Sequence, residues 1–138
     1  MAVIFLIVQD FINAAKDLIA KKKIDPETID LVIVSTITPD FHVASTAPTV
    51  ASAIKAKNAY AYDLSAACSG FLYGMSTATS FIESGRYKKV LIIGADMMSS
   101  IVDYTDRSTS ILFGDGAGAV LVEPSINCLL YTSPSPRD

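Results

Sequence analysis

The chain has 138 residues, of which 51% are hydrophobic and 18% charged, with a formal net charge of −3. That composition belongs to a globular domain long enough to bury a core, and it excludes an intrinsically disordered chain. The slightly acidic balance lacks the basic footprint of a nucleic-acid partner.

In chain order, Ala2–Val8 is apolar but too short to span a bilayer, and it has neither a basic flank nor a small-residue cleavage site. No membrane partner is expected. Met1–Val8 could form a strand, but only Gln9 separates it from the next element, so residues 1–9 are an uncertain start segment. Phe11, Ala14, Ala15, Leu18 and Ile19 recur at helical spacing within residues 10–23. Lys21–Lys23 suit the negative end of that helix. Asp25-Pro26-Glu27 is a turn in which Pro26 can start a short helical stretch. Ile29–Thr36 is a continuous apolar strand of the kind buried on both faces. After Thr38-Pro39-Asp40, Ala44–Lys57 reads as a second helix, capped by Ser45 or Thr46, with Pro48 in its first turn. Ala47, Val50, Ala51 and Ile54 line its inner side.

Ala59–Asp63 is the next strand, and a helix from about Cys68 to Ser84 follows. Spacing places Cys68, Leu72, Met75, Thr79 and Ile82 on its buried face, with Gly85 as a C-terminal cap. Lys89–Gly94 is another buried strand. Met97–Ser108 is polar and loop-like. The glycine-rich Phe113–Ala119 leads into a strand over Ala117–Glu123, which Pro124 ends. Helices alternating with buried strands predict an α/β fold with a mostly parallel sheet and helices on both faces.

The stretch with the most chemistry in it is Asp63–Phe71, DLSAACSGF. Cys68 falls at a strand-to-helix junction among small residues, which permit a sharp turn and close approach of a substrate carbonyl. A helix start offers unpaired N–H groups and partial positive charge, which favour a thiolate, the nucleophilic form of cysteine. Position alone leaves open a buried core cysteine. Two cysteines, Cys68 and Cys128, make no disulfide framework, and with His42 as the only histidine no metal site is expected. A cytoplasmic setting follows as the default.

DLSAACSGF and the later TDRSTSILFGDGAGAVLVEPS (Thr105–Ser125), in that order, resemble the signatures of the 3-oxoacyl-[acyl-carrier-protein] synthase III family. The likeness runs from about Ala14 to Ser125. It implies one half of a layered α-β-α thiolase-like fold over residues 10–127. It also implies an acyltransferase that starts type II fatty acid synthesis by decarboxylative Claisen condensation. Cys68 is then the acyl-carrying nucleophile, with its backbone N–H helping to hold the oxyanion. Acyl-CoA and malonyl-acyl carrier protein are the implied partners, and acyl-CoA enters as substrate, with no separate cofactor. Arg107 matches an arginine placed near the CoA adenine and phosphates; a surface pairing with Asp103 or Asp106 is the alternative. Phe113 matches a residue of the acyl pocket, as against ordinary core.

Val43 falls where some members carry Phe, at a pocket end supplied across a homodimer interface that involves the strand near Asn58–Asp63. The smaller side chain leaves room for longer or branched primers. The glycines of Gly114–Gly118 are implied to allow tight backbone packing near the site. The resemblance places the catalytic histidine and asparagine in the C-terminal half, so His42 matches neither and is read as an exposed or interface loop residue. On this reading the chain is an N-terminal portion inactive in condensation. Residues 128–138 resemble a translated sequencing adapter. A polyketide-type ketosynthase, a hydroxymethylglutaryl-CoA synthase relative and a non-catalytic interaction module of the same fold are the alternatives.

Overall fold

A computed structural model describes residues 7–125. The expectations for Met1–Leu6, for Cys128 and for the 128–138 tail lie outside the described residues. The elements are α1 (Val8–Lys22), a 3-10 turn (Pro26–Thr28), β1 (Leu31–Ser35), α2 (Thr46–Ala53) and β2 (Tyr60–Leu64). A 3-10 turn (Ala67–Ser69), α3 (Gly70–Glu83), β3 (Val90–Asp96), a 3-10 turn (Met98–Ser100) and β4 (Gly116–Val122) complete them.

The four strands form one sheet in the order β2-β1-β3-β4. β1 runs parallel to β2 and β3, and β4 is antiparallel to β3. The alternation along β1 and β3 explains why both read as unbroken apolar runs. Val32, Val34, Leu91 and Ile93 face a core shared with Phe11, Ala15, Ala47 and Val50 of α1 and α2. Leu31, Ile33, Val90 and Ile92 face the other way, toward Ala78 of α3. All five residues of β1 are buried. Burying one such side chain is worth about 1.5–3 kcal/mol, so this strand anchors both layers.

Three details differ from the sequence expectation. α2 stops at Ala53 rather than Lys57, because Lys55 turns into the left-handed region at φ 65°. α3 begins at Gly70, so Cys68 sits in the 3-10 turn before it and not in the helix. The buried stripe of α3 is Gly70, Gly74 and Ala78, while Leu72 and Thr79 are exposed. Spacing by hydrophobicity found Met75 and Ile82, which pack half-buried against the core on that side of the sheet, but missed that the helix meets the sheet most closely through its smallest residues. A Cβ on Gly74 would come within 3.1 Å of Ile92 Cγ2, and one on Gly70 would overlap Ser35 Oγ. The far end of α3 is as expected: Gly85 takes φ 71°, and the N–H groups of Gly85 and Arg86 donate to Ile82 O and Phe81 O.

Candidate active site

The connections leaving β1, β2 and β3 all emerge at the carboxyl edge of the sheet, and β4 begins there. α2 and α3 lie on opposite faces, so the chain switches face at this edge, which is where open α/β sheets bind ligands. Ser35 and Ile37 reach the edge from β1, Ala67 and Cys68 from β2, and Asp96 and Met98 from β3. Together with Phe71, Phe113 and the glycines of 114–118 they line a cavity of about 820 Å³. Its size is that of a small-molecule site.

Cys68 is exposed. The turn that delivers it needs an unusual backbone: Ala66 sits at φ −152°, ψ 36°, and Ala67 at φ 47°. Ala67 is one of three non-glycine residues with positive φ among the described residues, and such positions cost free energy of order 1–3 kcal/mol. The Ser69 N–H donates to Ala66 O and the Gly70 N–H to Ala67 O. The Cys68 N–H has no acceptor among the described residues.

The predicted site residues divide. Cys68 and Phe113 share the cavity, with Phe113 at 43% exposure rather than in ordinary core. Val43 does not reach it. Val43 is fully exposed and lines a second cavity, of about 540 Å³, with Phe41, His42, Tyr62 and Asp63. Burial raises the Tyr62 phenol above its ordinary range, with Tyr87 adding to the shift. His42 is exposed, as expected, and no histidine lines the Cys68 cavity.

Arg107 lines neither cavity and is exposed. No ion pair joins it to Asp103 or Asp106 among the described residues. Those carboxylates accept instead from Thr105 and from Ser108 and Thr109, which holds both below the usual carboxylate range. A Cβ built on Gly114, Gly116 or Gly118 meets nothing within 4 Å. The expected tight packing is therefore not made by the described residues; the glycines leave a bare cavity wall.

Sequence reasoning missed the carboxylates that hold this edge together. Asp63 accepts from the N–H groups of Thr46 and Ala47 at 2.6 and 2.7 Å, and it, not Ser45 or Thr46, caps α2. Asp40 accepts from the N–H groups of Ile7 and Val8. Asp96 accepts from Thr36 Oγ1 at 3.0 Å and the Ile37 N–H at 2.8 Å. Asp115 accepts from Ser99 Oγ at 2.6 Å and from its N–H at 2.8 Å, and these bonds lower its pKa. Each aspartate lies 16 to 60 residues from its partner, so no local motif announces it.

The sequence pattern described as 3-oxoacyl-[acyl-carrier-protein (ACP)] synthase III matches residues 62–131. A β-ketoacyl-[acyl-carrier-protein] synthase III of Chlorobium chlorochromatii is 60% identical over 113 residues, covering 82% of this chain and 34% of that protein. The chain thus spans about a third of the length of the curated relatives it matches. Among solved structures, the 3-oxoacyl-[acyl-carrier-protein] synthase III of Aquifex aeolicus superposes with a TM-score of 0.86 at 48% identity, over 92% of this chain and 41% of that one. The priming β-ketosynthase of the R1128 polyketide pathway gives 0.80 at 42% identity, over 83% and 34%.

Proposed function

The chain belongs to the 3-oxoacyl-[acyl-carrier-protein] synthase III family, and from that premise we propose that Cys68 is the acyl-carrying nucleophile of a condensing enzyme. The observation that carries the reading is an exposed cysteine in the mouth of a large cavity, set there by a strained turn at a helix start. Sγ attacks the thioester carbonyl of an acyl-CoA primer. The new C–S bond forms, the bond to CoA breaks, and CoA leaves with the proton that Cys68 gives up. The Cys68 N–H, without an acceptor among the described residues, is available to the charge that develops on the carbonyl oxygen.

In a full-length member of the family, of which this chain covers about a third, malonyl-acyl carrier protein then enters. Loss of CO₂ from the malonyl group leaves an electron pair that forms a carbon–carbon bond to the acyl carbonyl. The bond to Sγ breaks, the 3-oxoacyl product stays on the carrier, and Cys68 is returned. This is the first condensation of type II fatty acid synthesis in the cytoplasm.

Arg107, with no carboxylate partner among the described residues, serves the phosphates of CoA. The bare Val43 side chain is covered by a second copy in a homodimer, where its small volume admits branched primers. A stronger turnover of isobutyryl-CoA than of acetyl-CoA is expected on that account. The R1128 likeness favours one second reading, a priming ketosynthase of a polyketide pathway, distinguished by the carrier protein that is accepted.

Mass spectrometry of the whole protein after exposure to acyl-CoA tests the assignment. An acyl adduct on Cys68 is expected, absent in Cys68→Ala. An adduct that survives C68A, or none at all, overturns it.

A further inference from the structure

Two cavities lie side by side at the carboxyl edge of the sheet, and Ile37 is the one described residue that lines both. On one side is the Cys68 cavity; on the other is the cavity bounded by Phe41 and Val43. We propose that Ile37 is the partition that sets the depth of the acyl site, and that Asp96 is its positioning residue. The inference rests on the acyl-transfer reading of Cys68.

The backbone around Ile37 is stitched to the end of β3. The Ile37 N–H and Thr36 Oγ1 both donate to Asp96 Oδ1. Thr36 Oγ1 accepts in turn from the Thr38 N–H at 3.1 Å, and Thr38 Oγ1 accepts from the Met97 N–H at 2.8 Å. Three bonds therefore fix three successive residues to the neighbouring strand exit, and a fourth ties Thr38 to Thr36. Thr36 is buried, so its hydroxyl has no water to replace a lost partner. A β-branched side chain is stiff at χ1, and holding the backbone therefore holds the wall.

The wall separates the mainly apolar Cys68 cavity from one of mixed lining, in which Phe41 and Val43 stand beside His42, Ser45 and Asp63. Ile37 keeps 38% exposure, which it spends on the two cavities and not on core packing. Shortening it joins the space beside Cys68 to the space beside Val43 at little cost to the fold. An acyl chain that now ends at Ile37 then runs on toward Phe41 and Val43.

The test loads the whole protein with saturated acyl-CoA thioesters of increasing chain length and follows the Cys68 adduct by mass spectrometry. Ile37→Ala raises the ratio of long-chain to short-chain loading by roughly tenfold or more, since added methylenes find a pocket. Ile37→Phe lowers it. Asp96→Ala shifts the ratio toward long chains by a smaller factor. Asp96→Asn keeps the Oδ1 acceptor and the parental profile. A chain-length profile identical in parent, I37A and I37F overturns the partition. A shift in I37A with none in D96A overturns the role of Asp96. Absence of any adduct in the parent instead refutes the functional reading on which the inference stands.

Discussion

α2 and α3 both begin at the carboxyl edge of the sheet, and they begin in opposite ways. α2 is closed by Asp63, which takes the N–H groups of its first two residues; Pro48, in third place, has none to offer. α3 has no side-chain cap, either at Ser69 or at Ala66 before the 3-10 turn. Cys68 lies between those two cap positions. The two starts are linked, because Asp63 and Cys68 leave the same strand five positions apart. Donors met from within the chain hold a helix in place, and donors left open are free for a ligand. The closed helix is scaffold, and the open one carries the chemistry.

The contrast depends on α3 lying hard against the sheet without a cap, and Gly70 is what allows it. A Gly70→Val side chain must displace the buried Ser35, so a loss of about 3 kcal/mol or more in urea unfolding is expected, with slower alkylation of Cys68 by iodoacetamide. Gly74→Ala meets Ile92 Cγ2 at 3.1 Å and costs about 1 kcal/mol. Parental stability in G70V means that another contact seats the helix.

At the closed start, Asp63→Ala leaves two N–H groups without partners and costs about 2 kcal/mol, part of which Asp63→Asn recovers. Equal stability of D63A and parent means that water serves as well as the carboxylate. Converting the open start into a closed one separates stability from chemistry. Ser69→Asp supplies the missing anion and raises helix stability by up to about 1 kcal/mol. Acyl loading of Cys68 falls at least about tenfold, since the added charge opposes the developing oxyanion. Undiminished loading in S69D contradicts a role for the helix start in catalysis.

What the sequence made legible follows from the range of the forces involved. The buried runs of β1 and β3, the face of α2, the Gly85 cap and the turn at Pro26 are set within a few residues, and each is where pattern put it. Cys68 and Phe113 share a cavity because the motifs that contain them sit at converging chain exits. The Asp63, Asp40 and Asp96 bonds were invisible, because a carboxylate that caps a distant N–H looks like any polar residue. The face of α3 was misread in part, at Cys68, Leu72 and Thr79 but not at Met75 and Ile82, for a related reason. Hydrophobic periodicity seeks large side chains, whereas this interface uses their absence at Gly70 and Gly74.

The weakest effect lies in the cavity wall that faces the open helix start. Asp115 sits between two lining glycines yet does not line the cavity, because its carboxylate is turned to Ser99. The bond from the Ser99 hydroxyl, then that from its N–H, lowers the Asp115 pKa below the ordinary value of about 4. A carboxyl group depressed in this way supports the fold while ionised. Its contribution is whole above the ordinary carboxylate range and fades as pH falls through the lowered value. Protection of the Ser99 amide against hydrogen exchange, corrected for the intrinsic rate, should therefore hold at neutral pH and drop below about pH 4. Asp115→Asn keeps an acceptor and removes the acid-dependent step. The same drop in D115N would place its origin in another carboxylate and detach the wall from Asp115. Because Asp115 is wholly exposed, the change stays local, and global unfolding is unmoved.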